Sequence, residues 1–162
     1  MLSSERLIEL AAIVVGGPLA GSELAVAVFF HPRISALDDT THARAAQALA
    51  AALGRAMPFW YAITLLLSGA VAFYAKPARA SGHGLALAAA GLFAAMIVYS
   101  VLLPVPINNQ IAQWKPESLP ANWRELRRRW DTLHAIRVGV LLLAFILLVA
   151  SCLTPPAAWV VF

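Results

Sequence analysis

Four apolar stretches govern what this chain can become. They run from about Leu7 to Phe30, Met57 to Ala75, Gly84 to Leu103 and Val138 to Thr154. A hydrocarbon core is crossed by about 17 to 25 helical residues, and all four stretches reach that length. Lipid offers the backbone no hydrogen-bond partner, so a spanning segment is either a helix or a strand of a closed barrel. These stretches are rich in Ala and Leu and lack the two-residue alternation of barrel strands, which leaves helices. Composition agrees, with 61% hydrophobic and 12% charged residues, far from an ordinary soluble domain. The expected fold is all-α: an integral membrane four-helix bundle, forming one domain over residues 1–162.

The helices are expected at about 7–30, 40–75, 84–103 and 121–154, with the second and fourth extended beyond the bilayer on one side. Their membrane spans are 57–75 and 138–154. Asp38 or Asp39 stands where a helix cap is wanted, ahead of Ala-rich sequence that runs on into the second span. Pro58 bends or breaks that helix. After Pro120 the segment "ANWRELRRRWDTLHAIR" leads into the fourth span without Gly or Pro. On the other side, "AKPARASGHG" reads as a tight turn in which His83 is solvated.

Glu5 and Glu9 beside Arg6, and the length of the first apolar run, argue against a cleaved secretory signal. Nine basic residues fall in or beside the first and third connections and three on the opposite side. The positive-inside tendency then puts connections 1 and 3 in the cytoplasm and both termini outside, in the plasma membrane if the source is bacterial. The pI of 9.8 points to anionic headgroups and not to nucleic acid, because the charges lie next to the spans. Cys152 has no partner for an internal disulfide and reads as apolar filler.

The side with the long connections holds the chemistry. Trp123, Arg127, Trp130, His134, Arg137 and Leu141 fall on one stripe of the fourth helix. Trp123, Arg128 and Arg129 suit an interfacial belt. His134 and Arg137 lie at the start of the apolar run, where an ionisable group faces a partner or a cavity. Glu23, within the first span, must be protonated or paired with Arg137 or His134. Such a pair either pins helix 1 to helix 4 or serves a site. Gly17 and Gly21 have the small-xxx-small spacing of close helix approach. Pro104 and Pro106 are expected to stop helix 3 and hold "INNQ" extended, presenting Asn108 and Asn109 at the bundle mouth. An amide there either satisfies loose backbone groups or binds a phenol, carbonyl or oxyanion.

The runs "GSELAVAVFFHP", "PINNQIAQW" and "NWRELRRRWDTLHAIRVGVLLLAF" together resemble the anthrone oxygenase family of small four-helix membrane proteins. Its most specific part is Pro106, Ile107, Asn108 and Asn109 with Trp130, His134 and Arg137. The resemblance implies oxidation of a hydrophobic polycyclic phenol or anthrone with molecular oxygen and no further cofactor. In that reading His134 is the general base, and Arg137, Asn108 and Asn109 stabilise the anion. Trp130 stacks on the substrate, Trp114 and His31 help bind it, and Glu23 balances charge. Two alternatives stand beside it. One is a metal- or haem-dependent oxidoreductase with ligands from His31, His42 and His134, although no tight ligand spacing is present. The other is a non-enzymatic membrane binding or helper subunit, whose small-residue faces around Ala88 to Ala94 also suit a homo-oligomer.

Overall fold

The structure is a computed structural model that describes residues 2–74 and 80–154, apart from the side chains of 80 and 81. Helix α1 spans Ser4–Ala25, and the Ser3 hydroxyl caps it by accepting from the Arg6 N–H at 3.3 Å. It runs into a π-helical turn, Val26–Phe30, and then into α2, His31–Ser35. Pro32 accounts for that turn. Its nitrogen has no hydrogen to give Val28, and its ring would strike the Val28 carbonyl in a regular α-helix, so the backbone widens.

Helix α3 covers Asp39–Tyr74. Asp38 is its cap, accepting from Thr41 N–H at 3.0 Å, and the bonds from Thr41 hold its carboxyl below the usual carboxylate range. α4 covers Ala80–Leu102, α5 Pro104–Ala112 and α6 Trp123–Leu153. Each successive long helix packs on the one before it, and α6 closes the ring against α1.

Four helical stretches are long and apolar enough to cross a membrane: Ser4–Ser35, Asp39–Tyr74, Gly82–Ala112 and Trp123–Leu153. At 1.5 Å per residue each spans roughly 46 Å or more, beyond a hydrocarbon core of about 30 Å. The first and third stretches, of 32 and 31 residues, thus also exceed the hydrocarbon core, as the second and fourth do. The central core is built by Leu19, Phe93, Leu141 and Leu148, all fully buried. A second cluster, with Ile107, Ile111, Trp114, Trp123 and Trp130, fills the end of the bundle next to residues 113–122. Trp123 is buried there and edge-on to His42, so it is not an interfacial anchor; Arg128 and Arg129 are exposed.

Four local expectations are corrected. Residues 104–112 are helical, not extended, because Pro104 and Pro106 sit in a first turn whose N–H groups have no intrahelical acceptor in any case. The third helix begins at Ala80, so Gly82 is inside it. A Cβ at Gly82 would meet the Ser151 carbonyl oxygen at 3.1 Å, which makes this glycine a close-packing position. His83 is half-buried with Nδ1 2.9 Å from the Ala72 carbonyl, not solvated. On α1, Cβ atoms at Gly16 and Gly17 would meet the Phe145 ring at 3.3 Å, whereas Gly21 faces open space. Gly17 thus takes part in the close approach, together with Gly16, and Gly21 does not. Residues 75–79, with Lys76 and Arg79, lie outside the described residues.

Gly82→Val is expected to lower stability by about 1–3 kcal/mol, the usual cost of forcing atoms into a packed contact. The midpoint of unfolding in a mixed-detergent titration measures it, and an unchanged midpoint would remove Gly82 from the packing of α4 on α6.

Candidate functional site

The site begins with a carboxylate inside an apolar helix. Glu23, on α1, is 2% exposed. Its Oε2 receives Arg137 Nη2 at 2.6 Å, and the same Nη2 lies 2.9 Å from His134 Nδ1. A guanidinium only donates, so Nδ1 accepts in this contact. His134 Nδ1 is also 3.3 Å from Glu23 Oε2. The three side chains therefore meet across the α1–α6 boundary, with both α6 residues one turn apart on the same stripe. Glu23 Oε1 and His134 Nε2 are buried without hydrogen-bond partners.

Above the pair, aromatic and charged groups stack outward along α6. Trp130 lies parallel to His134, with ring centroids 4.9 Å apart and planes 12° apart. The Arg127 guanidinium covers the Trp130 ring at 4.6 Å and pairs with Asp131 at 2.9 Å. His31, brought inward after the π turn, meets both rings edge-on at 4.8 and 4.9 Å. Its Nδ1 is 3.4 Å from Asp131.

A cavity of about 780 Å³ lies beside this stack, between α3 on one side and α4 and α5 on the other. Glu23, Arg137, Trp130, Trp114, Asn108 and Asn109 all line it. His134 and His31 do not; they stand behind Trp130 and Arg137. Asn108 is half-buried and its Oδ1 has no partner, while Asn109 is exposed. Such a space suits a drug-sized ligand, which needs roughly 300–1,000 Å³ and a few converging polar groups. The wall is otherwise largely Ala, Leu and Val.

The metal alternative finds no ligand set. His31 and His134 are neighbours, but His42 packs on Trp123 and borders a separate cavity of about 220 Å³. Among the described residues no group of three or more His, Cys, Asp or Glu side chains is placed to hold a metal ion.

Tyr61, Arg127 and Gln47 also line the large cavity and were not singled out for a site from sequence. Tyr61 had a readable signal: Tyr61, Thr64 and Ser68 form a polar row at helical spacing inside an apolar run, and all three are buried on α3. Arg127 was on the α6 stripe, but only its burial, at 5% exposed, separates it from the snorkelling arginines beside it. Gln47 had no signal, since its role depends on which carbonyls face it.

A family model described as anthrone oxygenase matches residues 48–147. No curated protein and no solved structure matches the chain. The matched segment contains Asn108, Asn109, Trp130, His134 and Arg137 and begins after α1, so Glu23 lies outside it.

Arg137→Met leaves Glu23 buried without its countercharge and is expected to cost about 3–5 kcal/mol, the range for breaking a buried pair from one side. Adding Glu23→Gln should restore most of that loss in the same detergent-unfolding assay. A double variant no more stable than Arg137→Met would show that the two residues are not coupled.

Proposed function

This chain belongs to the anthrone oxygenase family, and on that premise we propose that it oxidises a flat phenolic polycycle of the anthrone class to the quinone with molecular oxygen. The observation that carries the reading is the conjunction of an apolar cavity with a buried Glu23–Arg137 pair and a partnerless Asn108 amide oxygen in its wall.

The carbon opposite an anthrone carbonyl is acidic, because its conjugate base is a delocalised phenolate. We assign the proton acceptor to Glu23, which lines the cavity and whose Oε1 has no hydrogen-bond partner, in place of His134. Arg137 holds Oε2 and keeps a positive charge close to the developing anion. His134 is a positioning residue: its Nδ1 fixes the Arg137 guanidinium, and its ring backs Trp130. Trp130, its ring parallel to His134 and covered by Arg127, forms part of the cavity wall against the substrate, and Asn108, with Asn109 at the rim, hydrogen-bonds the phenol or carbonyl oxygen.

The bookkeeping closes with oxygen as the oxidant. The carbon proton goes to Glu23, and electrons of the anion form a carbon–oxygen bond to O2. Return of the proton gives a hydroperoxide. Loss of the second hydrogen from that carbon with cleavage of the O–O bond yields the quinone carbonyl and one water. One oxygen atom ends in product and one in water.

Protein reconstituted in vesicles should convert 1,8-dihydroxyanthrone faster than its spontaneous oxidation, consuming one O2 per quinone. Glu23→Gln should lower kcat by about 10²–10⁴-fold, the usual weight of a positioned base. His134→Gln should cost less, by the distinction between a reacting and a positioning group. Wild-type turnover no faster than the spontaneous reaction would refute the activity, and full activity in Glu23→Gln would refute the assignment of the base.

A further inference from the structure

The inner wall of the cavity carries the chemistry, but the same cavity has a mouth with its own composition. Residues that line a cavity and are also exposed mark where it opens. On α3 these include Ala51, Gly54, Pro58 and Ala62, and across the gap they include Val101 and Val105. All six are apolar, Asn109 on α5 is an exposed polar residue of the same rim, and the α3 lip is built of small residues and a proline. A Cβ added at Gly54 would meet nothing within 4 Å. Pro58 has no N–H to give the Gly54 carbonyl, so that oxygen lacks its usual helical donor.

The surface beside the lips is the kind that faces hydrocarbon. Phe59 is 73% exposed, Val98 58% and Leu102 65%. The lips themselves fall at the ends of the apolar runs of α3 and α4. Farther along, beyond the apolar runs, the gap is tied shut: Gln47 Nε2 donates to the Ile111 carbonyl at 3.0 Å and the Trp114 carbonyl at 2.8 Å, fastening α3 to the end of α5. Arg44 and Glu117 pair still farther out.

We propose that the cavity is filled sideways from the bilayer, through the slot between α3 and α4–α5, by a flat phenolic molecule dissolved in lipid, and that the absent side chain of Gly54 sets the width admitted. The slot suits such a molecule on three counts. Its lips are apolar and abut hydrocarbon, its α3 edge is thin, and the Gly54 carbonyl offers a first acceptor to an entering hydroxyl. The inference rests on the substrate class proposed above for its choice of ligand, but not on turnover.

The test uses wild type, Gly54→Ala and Gly54→Phe in phosphatidylcholine vesicles. Phe and Ala both favour a helix over Gly, and the space at position 54 is open, so folding is not at risk. Trp114 and Trp130 line the cavity, and quenching of tryptophan fluorescence by 1,8-dihydroxyanthrone without oxygen follows its arrival. In wild type and Gly54→Ala the association rate should follow the mole fraction of probe in lipid, falling as lipid is added at constant total probe. In Gly54→Phe it should fall by about tenfold, as expected for an obstructed entry step. Wild-type rates in Gly54→Phe, rates indifferent to the amount of lipid, or no saturable quenching in wild type would each overturn the proposal. Lipid-dependent, Gly54-sensitive binding without oxidation on admitting oxygen would uphold the route while refuting the oxygenase reading.

Discussion

A charge pair inside an apolar bundle sets the terms for everything around it. Glu23 and Arg137 approach to 2.6 Å between helices that the rest of the sequence commits to hydrocarbon. Neither is tolerable there alone, so α1 and α6 are held in one register for as long as the pair persists. His134 falls beside Arg137 because both lie on the inward face of α6, and Trp130 and Arg127 continue that face outward by the same spacing. Polar groups that would be costly singly are thus strung along a single stripe, each touching the next. The apolar half of α6, with Leu141, Ala144 and Leu148 fully buried, then has only ordinary packing to do.

Three prolines interrupt helices at the end of the bundle that holds the cavity. Pro32, Pro58 and Pro104 each interrupt one helical stretch in the same half of the molecule, while α6 carries no internal proline. Regular helices with complementary faces pack to the density of a crystal. Proline denies a hydrogen bond and displaces a carbonyl, which loosens that regularity locally. The opposite half is closed by Phe93 and Leu148 and by the near contact of Gly82 with α6, and Pro18 lies inside α1 between the two ends. The cavity and the most tightly packed part of the core lie at different levels along the bundle axis.

Much of this could be read before any coordinate was known, and the parts that could not share a cause. The four spans followed from length and hydropathy, and the membrane bundle followed from them. That Glu23 needed Arg137 or His134 followed from the price of a lone charge in lipid. The α6 stripe followed from spacing. What sequence concealed was whatever depended on one element meeting another. Pro104 and Pro106 looked like terminators because a proline inside a helix is costly, yet at its first turn the same residue is welcome. His134 looked like a cavity residue because its stripe faces inward, but Trp130 and Arg137 stand between it and the space. Gly82 looked like turn chemistry until the Ser151 carbonyl was found against it. The Gln47 fastening required knowing which two carbonyls lie across the gap.

The π turn at Val26–Phe30 has a meaning beyond accommodating Pro32. In a regular α-helix Glu23 and His31, eight residues apart, would point about 80° away from each other. The wider turn absorbs most of that difference, so both residues look into the bundle. The chain before and after it follows two helical phases, and a helical wheel drawn through the whole segment would misplace one of the two residues. It also means that the face α1 shows the core and the face α2 shows the aromatic stack can drift independently in evolution. The phase between them is stored in the five residues of the turn.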